Sequence, residues 1–211
     1  MGRTDPALRR KLRTFRLGKG STELVPADIS SSQKPLLDLA SNDYLGLSRH
    51  PEVIKAAHEA MWAEGVGSGG SRLVTGSRPI HNALEQELAA WLGRERVLLF
   101  PSGFQANLAA VMALTDRNSL VFADRLIHHS LLVGVKASGA KLKRYAHNDL
   151  AHLAELLKNS SPKNRLTSSI VLAESLFSME GSSPPIKELA EVCRKYDAKL
   201  LIDEAHALGV L

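Results

Sequence analysis

Cysteine is almost absent from this 211-residue sequence, and long apolar runs are absent too. Cys193 is the only thiol, which excludes an intrachain disulfide and a cysteine metal cluster. No apolar run approaches the roughly 20 residues of a membrane span, and the first residues contain no apolar signal-peptide core. We therefore expect a cytoplasmic protein that has no membrane partner.

Aromatic residues make up only 5% of the sequence and do not alternate regularly with the basic residues near its start. Surfaces that stack nucleic-acid bases need such aromatic residues, so the basic stretch favours a solvated amphipathic helix over a nucleic-acid contact. We expect an N-terminal helical arm over residues 1–40 and a larger domain over residues 41–211. The basic residues of the arm are Arg3, Arg9, Arg10, Lys11, Arg13, Arg16 and Lys19.

Short apolar segments alternate with amphipathic ones along the larger domain. Strands are predicted at residues 96–100, 120–123, 141–145 and 169–173, with a last one ending at Asp203. Helices are predicted between them, one beginning at Pro51 and another capped by Asn148 or Asp149. This alternation predicts an α/β fold with a mostly parallel sheet covered by helices.

Four polar or flexible positions come just after predicted strands. They are Gly103, His128, Ser178 and Asp203. Because the carboxyl ends of parallel strands meet at one edge of the sheet, these residues are expected to face a common ligand site. Residues 101–107 also lead from a strand into a helix, whose free N–H groups suit a phosphate.

Two short motifs point elsewhere. Residues 65–70 satisfy G-x-G-x-x-G, but they follow a helix rather than the strand that a dinucleotide site requires. Residues 203–206 (DEAH) match the ATPase signature of DEAH-type helicases, yet no phosphate loop precedes them, since Gly18-Lys19 is followed by glycine. An ATPase therefore remains a weak alternative.

The histidines do not have the spacing of metal ligands. His147 and His152 are five residues apart, so they do not share one helical face, and no cluster has the spacing of a zinc site. No metal site is expected.

Seven segments, in order, resemble the α-oxoamine synthases, which are pyridoxal-phosphate enzymes of the aspartate aminotransferase fold. The resemblance runs from about residue 36 to the end of the sequence. It implies the large domain of that fold, incomplete at its C-terminus. The segments are residues 41–47 (SNDYLGL), 67–72 (GSGGSR), 102–107 (SGFQAN), 123–125 (ADR), 147–149 (HND), 177–181 (FSMEG) and 203–206 (DEAH).

Within this family, residues 67–76 favour the members that condense L-alanine with a pimeloyl thioester, with loss of CO₂. Glycine C-acetyltransferase and 5-aminolevulinate synthase share most of the other segments and remain alternatives. The resemblance also implies that the full-length enzyme is a homodimer.

The resemblance assigns roles to individual residues. Asp203 is expected to pair with the pyridinium N–H of pyridoxal phosphate, where a carboxylate keeps that nitrogen protonated. His128 is expected to stack on the ring and to contact substrate, and His206 to lie near the phenolic oxygen. The remaining expected contacts are Gly103 and Phe104 to the phosphate, Ser178 near the ring, and Arg13 and Asn42 to substrate.

The lysine that anchors the cofactor in this family follows the DEAH segment, and every lysine of this sequence precedes it. That lysine also moves the substrate proton. We therefore expect residues 1–211 by themselves to be catalytically inactive, and a non-catalytic remnant that binds a partner is a further alternative.

Overall fold

The computed structural model describes residues 12–20, 22–27, 34–160 and 168–211. The chain divides into two compact units, residues 1–67 and 68–211. The predicted boundary after residue 40 lies inside the first of these units.

The first unit contains a small antiparallel sheet of three strands and one long helix. The strands are β1 (Phe15–Leu17), β2 (Glu23–Pro26) and β3 (Leu36–Leu37), in that order across the sheet. Helix α1 (Pro51–Glu64) begins at Pro51, as the sequence predicts, and the His50 side chain accepts a hydrogen bond from the N–H of Glu52.

The predicted helical arm needs correction within the described residues. Residues 1–11 lie outside them, but residues 15–17 and 23–26 form strands rather than a helix. Gly18 and Gly20 lie in the turn between these strands, and the Gly18 N–H donates to the Glu23 carbonyl at 2.8 Å. Two glycines within three residues disfavour a helix and suit a turn, which local basic charge does not reveal.

The second unit is built on a parallel sheet of four strands. They are β4 (Leu120–Asp124), β5 (Lys141–Tyr145), β6 (Ser169–Glu174) and β7 (Ala198–Asp203), in the order β5-β4-β6-β7. All three pairings are parallel. The helices are α2 (Pro79–Trp91), α3 (Gly103–Leu114), α4 (His129–Ser138), α5 (Leu150–Lys158) and α6 (Ile186–Lys195).

Alternate side chains of β4, β6 and β7 enter two separate cores, one on each face of the sheet. On β4, Val121 and Ala123 pack with residues of α3 and α4, whereas Phe122 packs with residues of α5 and α6. Residues of β6 divide in the same way. The period of two in a strand produces this division, and the prediction of a parallel sheet covered by helices is confirmed.

The predicted strand at residues 96–100 does not form among the described residues. The segment has no strand partner there, and Leu98 is 70% exposed. An apolar run becomes a strand only when another strand bonds to it, and that condition is not local. Asp149, rather than Asn148, caps α5, with its carboxylate accepting from the His152 N–H at 2.9 Å.

Helix α4 packs closely on α3 at Gly134. A Cβ added there would lie 2.8 Å from the Cβ of Val111. Alanine improves helix propensity over glycine by about 1 kcal/mol, whereas overpacking a core costs about 1–3 kcal/mol. We expect Gly134→Ala to lower the free energy of unfolding by about 1 kcal/mol in urea denaturation.

The matched background for this test is Val111→Ala. That change removes the two Cγ atoms that would lie 3.2 and 3.3 Å from the new methyl group. The loss caused by Gly134→Ala should then be smaller. An equal loss in both backgrounds would contradict the packing described here.

Candidate active site

Three neighbouring strands end in a carboxylate at the same edge of the sheet. Asp124, Glu174 and Asp203 are the last residues of β4, β6 and β7. Glu174 and Asp203 are register partners and therefore share a face, the one covered by α3 and α4. Asp124 follows Phe122 on the opposite face, towards α5. The edge therefore carries two separate polar clusters.

Both carboxylate oxygens of Asp203 have a donor. The amide nitrogen of Asn107 on α3 donates to Oδ2 at 2.7 Å, and the N–H of Ala205 donates to Oδ1 at 3.0 Å. The Asp203 side chain is half-buried. Two donors hold one orientation of the carboxylate while the residue keeps an accessible surface for a ligand.

His128 lies at the start of α4, and its ring is tied to Ser130. The Nδ1 atom is 2.7 Å from the Ser130 hydroxyl and accepts from the Ser130 N–H at 3.3 Å. The hydroxyl oxygen in turn accepts from the amide nitrogen of Asn107 at 2.9 Å. His128 is exposed, whereas Ser130 is fully buried. The imidazole is thus anchored at one nitrogen and open on its surface.

Glu174 is the buried acid of the edge, at 4% exposure. Its carboxylate accepts a short hydrogen bond from the His128 N–H. Burial raises the pKa of Glu174 to about 7; the His128 hydrogen bond opposes this rise, and the charges of Asp203 and Asp124 add to it.

Asp124 holds the loops on the opposite face. It is fully buried and accepts from His147 Nδ1 at 2.9 Å, from the Asn148 N–H at 2.9 Å and from the Leu126 N–H at 2.8 Å. His147 Nε2 is 2.7 Å from the Ser182 hydroxyl, and the His147 ring packs edge-on against Phe177 at 4.5 Å. These contacts fix both ends of the turn that carries Ser178.

The other predicted cofactor residues lie near the same strand ends. Gly103 begins α3 and Phe104 follows it, both exposed, and the Ser102 hydroxyl accepts from the Gln105 N–H at 3.3 Å. Ser178 is exposed, and His206 lies half-buried just after β7. The structure thus connects His128 to Asp203 through hydrogen bonds.

The two predicted substrate residues that remain belong to the first unit. Arg13 is exposed beside β1. Asn42 is also exposed, and its amide oxygen accepts from the Tyr44 hydroxyl at 3.4 Å. Their roles stay predictions.

Sequence reasoning did not identify Asn107, Ser130 or Glu174 as members of the site. Asn107 closes the segment at residues 102–107, Ser130 lies two residues after His128, and Glu174 ends a predicted strand. Each therefore had a local signal, but the contacts that give it a role are formed across the fold.

Within residues 12–20, 22–27, 34–160 and 168–211, no group of three or more His, Cys, Asp or Glu side chains could hold a metal ion. None of the helices in that part of the chain is long and apolar enough to cross a bilayer.

A sequence profile of the aminotransferase class I and II family matches residues 34–211. The chain belongs to this family. The match confirms the predicted fold. An ATPase of the helicase type is excluded, because the DEAH segment lies inside the matched region.

The curated relatives give a narrower similarity. The chain is 48% identical over 174 residues to 8-amino-7-oxononanoate synthase of Salmonella arizonae, covering 82% of this chain and 44% of the relative. The same enzyme of Salmonella paratyphi B is also 48% identical, with the same coverage. The chain spans less than half the length of these relatives.

Solved structures of two enzymes share this fold. Serine palmitoyltransferase from S. paucimobilis, with a bound PLP–myriocin aldimine, superposes with a TM-score of 0.84 at 30% identity, covering 95% of this chain and 48% of that one. 8-Amino-7-oxononanoate synthase from Francisella tularensis gives a TM-score of 0.64 at 31% identity, covering 78% and 43%. Fold similarity thus spans enzymes with different names.

The raised pKa of Glu174 predicts a pH dependence of stability. The pKa is about 7 in the folded chain and about 4.3 when unfolded, so the folded state binds more protons between these values. Stability is therefore lost as the pH rises through this window. Glu174→Gln keeps an oxygen for the His128 N–H but cannot ionise. We expect its free energy of unfolding, relative to that of wild type, to increase by on the order of 2 kcal/mol from pH 5 to pH 8.

The measurement is urea denaturation of both proteins without added cofactor at pH 5, 6, 7 and 8. Glu191→Gln on the exposed side of α6 is the matched control and should follow wild type. A constant difference between Glu174→Gln and wild type across this range would contradict the raised pKa.

Proposed function

We propose that this chain supplies residues that hold the cofactor ring in a pyridoxal-phosphate enzyme. The whole protein would condense L-alanine with a pimeloyl thioester, of coenzyme A or acyl-carrier protein, releasing CO₂ and forming 8-amino-7-oxononanoate for biotin synthesis. The observation that carries this proposal is the Asp203 carboxylate, held by two donors at the carboxyl edge of the sheet. The 48% identity to 8-amino-7-oxononanoate synthases supports the choice of substrates.

The residues at the sheet edge fit pyridoxal phosphate. An oriented, half-buried carboxylate, an exposed imidazole and the start of α3 lie at the strand ends. A Cβ added at Gly103 would meet nothing within 4 Å, so the backbone there is open to a phosphate. When bound, the cofactor supplies a ring that accepts electrons from a carbanion at the substrate α-carbon.

Asp203 would hold the proton on the pyridine nitrogen. A carboxylate with two donors is already oriented, so no reorganisation is needed when the ring nitrogen arrives. His128 would stack on the ring and contact substrate, since its exposed ring is anchored only at Nδ1. His206 would lie near the phenolic oxygen.

The N–H groups at the start of α3 would bind the phosphate, together with the positive end of the helix dipole. Gly103 and Phe104 are the first two residues of this helix. Ser178, exposed on the turn fixed by His147 and Ser182, would hydrogen-bond near the ring. Arg13 and Asn42 would contact substrate.

Family membership also supports a proposal about assembly and location. We propose a homodimer in the full-length form and a cytoplasmic location, with no nucleic-acid or membrane partner. Buried Cys193 is the only thiol of the sequence, which suits a reducing compartment.

Substrate choice is tested on the natural full-length protein loaded with pyridoxal phosphate. L-Alanine with pimeloyl-CoA should release coenzyme A and form 8-amino-7-oxononanoate. Turnover only with glycine and acetyl-CoA, or only with glycine and succinyl-CoA, would establish the alternative synthases instead. No turnover with any pair, together with capture of an intact synthase in a pull-down, would establish the non-catalytic remnant.

The role of Asp203 is tested by Asp203→Asn in the same protein. An amide cannot hold a proton on the ring nitrogen, so kcat should fall at least about 100-fold, as for loss of one transition-state stabilising group. Asp197→Asn is the matched control, because Asp197 precedes β7 at the opposite edge and has φ of 53°, which asparagine tolerates. Equal kcat values for the two variants would refute this role.

Residues 1–211 alone are expected not to form the family's lysine adduct. All of their lysines precede Asp203 in the sequence, whereas the anchoring lysine of the family follows this segment. After pyridoxal phosphate and borohydride, mass spectrometry should find no stoichiometric pyridoxyl group on one lysine. A single fully labelled lysine would refute the expected inactivity of these residues.

A further inference from the structure

A continuous chain of hydrogen bonds connects Asp203 to His128. The Asn107 amide nitrogen lies 2.7 Å from Asp203 Oδ2 and 2.9 Å from the Ser130 hydroxyl oxygen, which lies 2.7 Å from His128 Nδ1. The four residues come from the end of β7, from α3 and from the start of α4. Asn107 lies in the middle of this series and donates hydrogen bonds to both Asp203 and Ser130.

The direction of each hydrogen bond follows from its partners. A carboxylate only accepts, so the Asn107 amide must turn its NH₂ group towards Asp203. The second hydrogen of that NH₂ group points to the Ser130 oxygen, 2.9 Å away. With its oxygen accepting from Asn107, the Ser130 hydroxyl directs its own proton to His128 Nδ1.

The backbone supports the same direction at His128. The Ser130 N–H also donates to Nδ1, at 3.3 Å, as the cap of α4. A ring nitrogen that accepts two hydrogen bonds carries no proton. The hydrogen-bond partners of Nδ1 therefore favour the tautomer of His128 that carries its proton on Nε2.

Asn107 also lies four residues after Gly103 on α3. Residues four apart share one face of a helix, so α3 presents its first residue and the partner of Asp203 on the same side. The hydrogen bond to Asp203 thus helps to set the orientation of α3 about its axis, together with the packing of Val111.

We propose that Asn107 is a positioning residue that orients the Asp203 carboxylate and, through Ser130, fixes the Nε2–H tautomer of His128. The inference rests on the proposed function for its catalytic meaning, since these are the residues assigned to the pyridine nitrogen and to the ring face. A neutral imidazole stacked on a protonated ring avoids repulsion between like charges.

The decisive measurement is the tautomer of His128 in the cofactor-free full chain, read from long-range ¹H–¹⁵N correlations of ¹⁵N-histidine protein. Wild type should show Nε2 protonated and Nδ1 bare. Asn107→Leu removes the amide donor at similar size, so the Ser130 oxygen loses its hydrogen bond from Asn107 and becomes free to accept one from a protonated Nδ1. The population of His128 protonated at Nδ1 should then rise several-fold.

A second readout is the dissociation constant for pyridoxal phosphate. It should rise about tenfold in Asn107→Leu because Asp203 loses its orientation, a change equal to about 1.4 kcal/mol. Ser130→Ala removes the hydroxyl between Asn107 and His128 but keeps the hydrogen bond from Asn107 to Asp203. It should therefore change the tautomer, and it should alter the dissociation constant less than Asn107→Leu does. Asn118→Leu, in the exposed turn before β4, is the matched control and should change neither.

A wild-type His128 protonated at Nδ1, or an unchanged tautomer in folded Asn107→Leu, would overturn the proposal. If Asn107→Leu does not fold, an unchanged tautomer in Ser130→Ala has the same consequence. Failure of the wild-type chain to bind pyridoxal phosphate would count against the proposed function and not against the network, because the tautomer is measured without cofactor.

Discussion

Carboxylates at the ends of three adjacent strands impose the main physical constraint on the second unit. A carboxylate removed from water needs hydrogen-bond donors, or it retains a proton. Asp124, Glu174 and Asp203 meet this need with groups from the segments that follow the strands or cover the sheet. Those segments are the turn before α5, the start of α4, and α3. The conformation of the whole carboxyl edge is therefore coupled to these three acids.

The three acids meet the same need in different ways, and their chemistry differs for that reason. Asp124 is fully buried with three donors, so it holds loops in place. Glu174 is buried with one backbone donor beside other acids, and the pKa of its carboxyl rises to about 7. Asp203 has two donors and stays half-buried, which leaves it oriented and accessible. The three acids thus differ in environment rather than in chemical class, and Asp203 is the one of the three that is both oriented and accessible.

Local sequence signals predicted most of the fold and part of the site. Helix α1 begins at Pro51 and α5 is capped by Asp149, since each of these features depends on neighbouring residues alone. The prediction of a strand at residues 96–100 was wrong because strand pairing requires a distant partner. The prediction of a helix in the described part of the arm was wrong because the glycines favour a turn, which the basic pattern does not reveal. Asn107 could not be paired with Asp203 from sequence, because 96 residues separate them.

The DEAH segment shows why a short motif does not determine its own chemistry. In an ATPase, the same acid after the same kind of strand works only beside a phosphate loop. Here the group facing Asp203 is an amide NH₂ on a helix whose first residue is Gly103. A helix is rigid over one turn, so the contact at Asn107 also orients the N–H groups at its start. The Asp203 carboxylate and the backbone N–H groups of Gly103 and Phe104 are thus oriented by one helix, because the Asn107 amide supplies a hydrogen-bond donor that a leucine side chain lacks.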